Sequence, residues 1–191
     1  MGKVIAAINM TLDGVFDHTA GLPDDEIHQY YTELLDKGDV ILYGRTTYQL
    51  MEFWRTFLEN PSEEQSMNDF AMAIDKIQKI VFSHTLKNID WESAKLANRN
   101  LGEEVLELKK QSDKDIFIGS RSLMIQLMKL NLIDEYQICV YPVVAGTGSL
   151  LFENINDRTI LKLIKSKTFS SGAVILYYKP TEENPINGLN N

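Results

Sequence analysis

From Lys3 to Tyr178, short apolar runs rich in β-branched residues alternate with stretches whose apolar residues recur every three or four positions. This alternation restricts the chain more than any single motif does. Strand-period and helix-period segments that take turns along one chain form the pattern of an α/β sheet, in which each helix carries the chain back to lay down another parallel strand. The chain has 191 residues, the size of one domain. A single domain is expected over residues 1–180, followed by a flexible tail from Thr181 to Asn191, where Asn, Pro and Gly dominate.

The first strand is read over Lys3 to Met10. Turns follow at Asp13-Gly14 and at Gly21-Leu22-Pro23-Asp24-Asp25. Acids at Asp24, Asp25 and Glu26 suit a helix start, and Ile27, Tyr30, Tyr31, Leu34 and Leu35 keep helical spacing up to Gly38. Asp39 to Tyr43 predicts a buried strand, Arg45 to about Leu58 a helix, Asn60 to Gln65 a loop and Met67 to Lys76 another helix. Further on, strands are expected at Lys79–Phe82, Asp115–Ile118 and Tyr136–Val144, with helices at Leu101–Lys110 and Leu123–Leu130. Two closely spaced β runs, Leu161–Ser166 and Ala173–Tyr178, predict antiparallel pairing at the end of the chain.

Composition removes several classes of function. With 19 Lys and Arg against 27 Asp and Glu, the formal net charge of −8 argues against a basic nucleic-acid surface. Cys139 has no partner, which excludes a disulfide scaffold and favours a reducing compartment. No run approaches the roughly 20 apolar residues of a membrane span, so a cytoplasmic protein is expected. His18, His28 and His84 lie far apart with no His or Cys at ligand spacing, so no metal site is expected. No serine lies in a Gly-x-Ser-x-Gly elbow. Gly146-Thr147-Gly148-Ser149 lacks the lysine of a phosphate loop and reads as a tight turn. Tyr30, Tyr31, Phe53, Trp54 and Phe57 fall at helical spacing; most are assigned to the core, with one or two facing a planar ligand.

The strongest local signal is a repeated one. Three strands end in clusters of Gly, Ser, Thr or Arg that lead toward helices: Gly44-Arg45-Thr46-Thr47, Ser83-His84-Thr85 and Gly119-Ser120-Arg121-Ser122. Each alone is an ordinary helix cap or turn. Together they mark the carboxyl edge of a sheet, where hydroxyls and helix N-termini gather around anionic ligands.

Taken in order, the motifs resemble the dihydrofolate reductase superfamily. They are most similar to the branch holding the reductase domain of the bifunctional riboflavin-biosynthesis deaminase-reductase. The carriers are Ala6-Ala7, Met10-Thr11-Leu12-Asp13-Gly14, Leu22-Pro23-Asp24-Asp25, Tyr43-Gly44-Arg45-Thr46-Thr47-Tyr48, Val81-Phe82-Ser83, Ile118-Gly119-Ser120 and the run from Pro142 to Phe152. The resemblance implies a three-layer fold with a mostly parallel sheet, antiparallel C-terminal strands and helices on both faces. It also implies NADPH as cofactor, a small heterocyclic substrate and a homodimer. By the same resemblance Arg45 and Ser83 take the adenosine 2′-phosphate, whose oxygens suit a planar guanidinium. Thr46 and Thr47 face the pyrophosphate from one side, with Gly119, Ser120, Arg121, Ser122 and Leu123 on the other. Ala7 holds the nicotinamide carboxamide through its backbone.

Two acids are candidates for the substrate. Asp25 matches the acid that orients the pterin in folate reductases, and Asp13 borders the substrate loop in the riboflavin branch. Folate reductases have Gly-Gly where this chain has Gly119-Ser120. The deaminase motifs His-x-Glu and Pro-Cys-x-x-Cys are missing, so a stand-alone reductase module is expected. The reading from another class is a non-catalytic nucleotide-binding or sensing module that keeps the cofactor groove.

Overall fold

Successive side chains of a strand point to opposite faces, and in the first strand, β1 (Val4–Thr11), both faces are apolar from Val4 to Ile8. The computed structural model of the protein, which describes residues 2–111, 113–155 and 158–181, shows both faces covered. Val4, Ala6 and Ile8 pack in one core and Ile5 with Ala7 in another. β2 (Gly38–Gly44) divides in the same way, with Val40 and Leu42 opposite Ile41 and Tyr43. So does β5 (Asp115–Ile118), with Ile116 and Ile118 opposite Phe117.

The sheet has eight strands in the order β4-β3-β2-β5-β1-β6-β8-β7. The outer strands are β3 (Gln78–Phe82), β4 (Ala94–Leu96), β6 (Glu135–Tyr141), β7 (Leu161–Thr168) and β8 (Val174–Pro180). β1 to β6 run parallel, and β8 lies antiparallel between β6 and β7. Helices α1 (Asp25–Leu35), α2 (Arg45–Met51) and α4 (Gln65–Lys76) supply Leu34, Leu35, Tyr48, Ala73 and Ile74 to one core. Helices α5 (Leu101–Gln111) and α6 (Arg121–Lys129) supply Leu101, Val105, Leu123, Met124 and Leu127 to the other. The helices of the connections that lead toward β4 thus lie on one face, and those of the connections that return toward β6 on the other, as right-handed crossovers require. This is the three-layer, mostly parallel architecture expected from the sequence. Among the described residues no helix is long and apolar enough to cross a membrane.

Three local readings are corrected and one strand is added. The helix expected from Arg45 to Leu58 is interrupted: α2 stops at Met51, a 3-10 turn covers Glu52–Arg55, and the short α3 spans Thr56–Glu59. Three residues per turn align positions i and i+3, which brings the Trp54 and Phe57 rings to 5.7 Å. β6 ends at Tyr141 rather than Val144 because Pro142 has no N–H for the ladder. Gly38 opens β2 instead of closing α1; a Cβ there would lie 2.2 Å from the Phe117 ring, so the strand admits no side chain. β4 was not foreseen. The expected tail lies outside the described residues beyond Thr181.

Candidate functional site

The strand order decides which strand ends are neighbours. β3, β2, β5 and β1 stand side by side, so the three clusters read from the sequence form one continuous rim. Hydrogen bonds tie them together. Gly44 donates its N–H to Ser120 Oγ at 2.8 Å, joining the ends of β2 and β5. Arg45 Nη1 donates to Thr85 Oγ1 at 3.0 Å, reaching across to the loop after β3. Ser83 Oγ accepts the N–H groups of Thr85 at 3.2 Å and Leu86 at 2.9 Å, which shapes that loop and leaves the Ser83 hydroxyl proton free to donate.

Thr46 and Ser122 are exposed and Thr47 is half-buried, all in the first turns of α2 and α6. Neither helix start has a side-chain cap, so its first N–H groups are left for other acceptors. A Cβ at Gly44 would sit 3.4 Å from Ser122 Oγ and 3.7 Å from Ser120 Oγ; glycine keeps this saddle open. At Gly119 a Cβ would lie 2.5 Å from the Tyr43 ring. The absence of a side chain there lets the strand end close on that ring.

Some of the expected residues are occupied elsewhere. Ser120 is buried, and its oxygen holds Gly44. Leu123 is buried in the core, leaving only its backbone for the rim. The Arg121 side chain turns to the segment after β6, donating from Nε to Leu150 O at 2.8 Å and Leu151 O at 3.0 Å and pairing with Glu153 at 3.2 Å. His84 is exposed.

Beside the rim is a notch. β5 ends at Ile118, opposite Ala6, while β1 continues to Thr11 along β6 alone. Lys3 O accepts from Ile116 N on the β5 side, and the two-residue period places the Ala7 carbonyl on that side, beyond the end of β5. Next to the notch lies a cavity of about 240 Å³. Its walls are Asn9 and Thr11 of β1, His28 and Tyr31 of α1, Trp54 of the 3-10 turn, Phe70 of α4 and Tyr141 of β6, with Asp17 and His18 among its polar lining.

Neither candidate acid lines this cavity. Asp25 is exposed and accepts from Ser66 Oγ at 2.5 Å. Asp13 accepts from Thr11 Oγ1 at 2.5 Å, Ala145 N at 3.1 Å and Gly146 N at 2.8 Å. The Thr11 hydroxyl first, then the Gly146 and Ala145 amides, hold its carboxyl down to about 2. Asp13 is therefore an ionised clasp between β1 and the 145–149 turn. In that turn Gly146 and Gly148 adopt φ of +75° and +133°, a region that suits glycine.

The sequence reading missed the cavity as a unit. Trp54 and Tyr31 were noted only as an aromatic set with one or two members facing a ligand, and His28 was weighed only as a metal ligand. The available signal was the i, i+3 spacing of His28 and Tyr31 behind Pro23, which puts both on one helix face. Cys139 is buried, and burial pushes its thiol up to about 12, as befits a packed side chain.

Comparison with known proteins gives a consistent result. The family described as "RibD C-terminal domain" matches residues 2–175. The uncharacterized protein YyaP of Bacillus subtilis is 34% identical over 180 residues, covering 92% of this chain and 94% of that protein. The crystal structure of a pyrimidine reductase-like protein from Corynebacterium diphtheriae superimposes with a TM-score of 0.66 at 13% identity, covering 95% of this chain and 93% of that one. RibD of Acinetobacter baumannii also gives 0.66 at 13% identity; 95% of this chain matches 58% of that longer one.

Proposed function

This chain belongs to the RibD C-terminal domain family, and we propose that it is an NADPH-dependent reductase acting on a small heterocycle, pterin- or folate-like or related to the pyrimidine precursors of riboflavin. Family membership supports a reductase-type role, and the rim geometry supports the cofactor. The observation that carries the reading is the meeting of three separate strand-end clusters on adjacent strands, at the carboxyl edge where open α/β sheets hold their ligands.

In this reading Arg45, anchored by Thr85, and Ser83 take the 2′-phosphate. Thr46 and Thr47 face the pyrophosphate across the Gly44 saddle from Gly119, Ser120, Arg121, Ser122 and Leu123; the uncapped start of α6 contributes backbone N–H groups, while the Gly119 N–H is held by Leu42 O at 3.2 Å. The Ala7 carbonyl meets the carboxamide at the notch. The bound cofactor supplies a hydride from its nicotinamide; the chain's own residues position the two rings and keep water out. Asp13 fixes the 145–149 turn against the end of β1. Asp25 orients substrate only after exchanging its bond to Ser66. Residues 1–180 serve as one reductase domain, in a cytoplasmic homodimer whose state a sizing run on the full chain tests.

The test is cofactor selectivity. NADPH at about 100 times its dissociation constant raises stability by about 2.7 kcal/mol, and NADH at equal concentration raises it much less. Equal stabilisation would remove Arg45 and Ser83 from their roles. One observation favours a second reading, a non-catalytic module that keeps the groove: neither acid lines the cavity. NADPH oxidation in the presence of supplied heterocycles separates the two.

A further inference from the structure

The cavity beside the notch has a composition that selects its occupant. Trp54 and Phe70 meet edge to face at 4.6 Å, and the His28 ring stands against both, at 5.6 Å from Trp54 and 6.1 Å from Phe70. Such walls suit a flat conjugated ring. At about 240 Å³ the space exceeds the roughly 150 Å³ that holds a benzene and stays below the roughly 300 Å³ where drug-sized sites begin. It therefore takes one ring system.

Charge narrows the choice. Among the described residues no Lys or Arg lines the cavity, and exposed His18 lies 3.6 Å from the Asp17 carboxylate, so a phosphate meets no ammonium or guanidinium there. Among the described residues the only carboxylate in the lining is Asp17, which is exposed and has one oxygen occupied by the N–H and hydroxyl of Thr19 at 2.8 and 2.7 Å. A protonated amidine edge thus finds no buried carboxylate, because Asp25 is turned to Ser66 and Asp13 to the 145–149 turn.

Inward of the exposed Asp17 and His18, the polar groups that β1, α1 and β6 supply are uncharged donors and acceptors. The Asn9 carbonyl oxygen accepts from Tyr31 OH, which leaves its NH₂ as a donor with only a long contact of 3.4 Å to Tyr141 OH. His28 is buried, 9% exposed, and its Nδ1 has no partner. A buried polar atom without a partner calls for an explanation; the His28 ring lines the cavity, and a turn about its χ2 bond presents that nitrogen to a ligand there. Burial holds the imidazole below its ordinary value against the opposing pull of Asp25, Glu64 and Asp24. The ring is then uncharged near pH 7, with one N–H donor and one lone pair.

We propose that this cavity takes an uncharged, unphosphorylated planar heterocycle with a carbonyl edge, and that His28, with Asn9, anchors it. The proposal rests on the reductase reading above, and it specifies the substrate class of that site. Among the acceptors that reading allows, it favours a ring dione or lactam over an amidine-edged ring or a ribityl phosphate.

The test uses the full chain and three probe comparisons. Lumazine, the uncharged pteridine-2,4-dione, binds at least about tenfold tighter than the protonatable 2,4-diaminopteridine, and uridine 5′-monophosphate binds no tighter than uridine. His28→Phe keeps the ring contacts but deletes both nitrogens. It weakens lumazine about tenfold or more and leaves NADP⁺ affinity unchanged, while His28→Gln, which restores a donor and an acceptor, recovers most of the loss. The proposal is overturned by unchanged lumazine affinity in His28→Phe, equal loss in both variants, tighter binding of the diamino ring or of the phosphorylated nucleoside, or failure of every probe to bind. If His28→Phe does not fold, the probe comparisons on the unaltered chain decide. If NADP⁺ and NADPH fail to bind at all, the reductase reading falls, and lumazine against 2,4-diaminopteridine without cofactor still tests the cavity.

Discussion

The rim and the cavity lie side by side and are built in opposite ways. The rim consists of short contiguous pieces, Gly44 to Thr47, Ser83 to Thr85 and Gly119 to Ser122, each set at a strand end by its own local turn. The cavity draws single residues from β1, α1, the 3-10 turn, α4 and β6, with Asn9 and Tyr141 separated by most of the chain. Hydroxyls, glycines and helix starts that greet an anion come as local units, because helix ends expose their N–H groups locally. A pocket for a flat, weakly polar ring requires walls from several directions, and only packing supplies those.

If the two regions are separate devices, changes in one should leave the other intact. The largest effect is expected for Trp54→Ala, which removes a half-buried wall between Phe70, Phe57 and His28. A loss of about 3 kcal/mol in denaturant unfolding is expected, together with loss of ring binding and little change in NADPH affinity. A parallel fall in NADPH affinity would show one site instead of two.

Arg45→Ala is the converse. It should weaken NADPH by about 2 kcal/mol, the scale of a charged hydrogen bond, while NADH and ring binding stay nearly constant; paired titrations check this. Equal losses for both cofactors would place Arg45 away from the extra phosphate.

The smallest effect concerns the clasp between β1 and the 145–149 turn, which lies outside both regions. The Asp13 carboxyl sits at about 2 when folded and at 3.8 otherwise, so between those values the unfolded chain binds more protons. Its contribution to stability is present above about pH 4 and is lost as pH falls toward 2. Acid unfolding of Asp13→Asn should lack that part of the slope. A slope identical to that of the unaltered chain would mean that other carboxylates carry it.

Much of the fold was legible in the sequence, for reasons visible in particular elements. β1, β2 and β5 are buried on both faces and read as continuous apolar runs. α1 carries its own start in Asp24, whose side chain accepts the Ile27 N–H at 2.9 Å. β4 was not legible, because Ala94–Leu96 has only three residues and no alternation. Tertiary bonds hold it beside β3: the Lys79 N–H donates to Ser93 O at 2.7 Å, the Ala97 N–H to Val81 O at 3.0 Å, and buried Lys79 Nζ to Ser93 Oγ at 2.7 Å. The break after Met51 was equally hidden, since no Gly or Pro marks it.

The candidate site divides along the same line. The rim residues were named from sequence, although Ser120 and Arg121 proved to be engaged with Gly44 and with the 150–153 segment. The acids were placed by resemblance at helix and turn starts, and the structure shows both carboxylates turned away from the cavity.

What the sequence determined alone was everything that depends on near neighbours along the chain: the period of each element, its caps, and the polar clusters at the strand ends. Only the tertiary structure decided which strand ends became neighbours, which side chain a carboxylate found first, and which aromatic rings enclosed a space. Those outcomes depend on contacts between residues far apart in the chain, and a hydrogen bond or a packed ring goes to whichever partner the fold brings within a few ångströms.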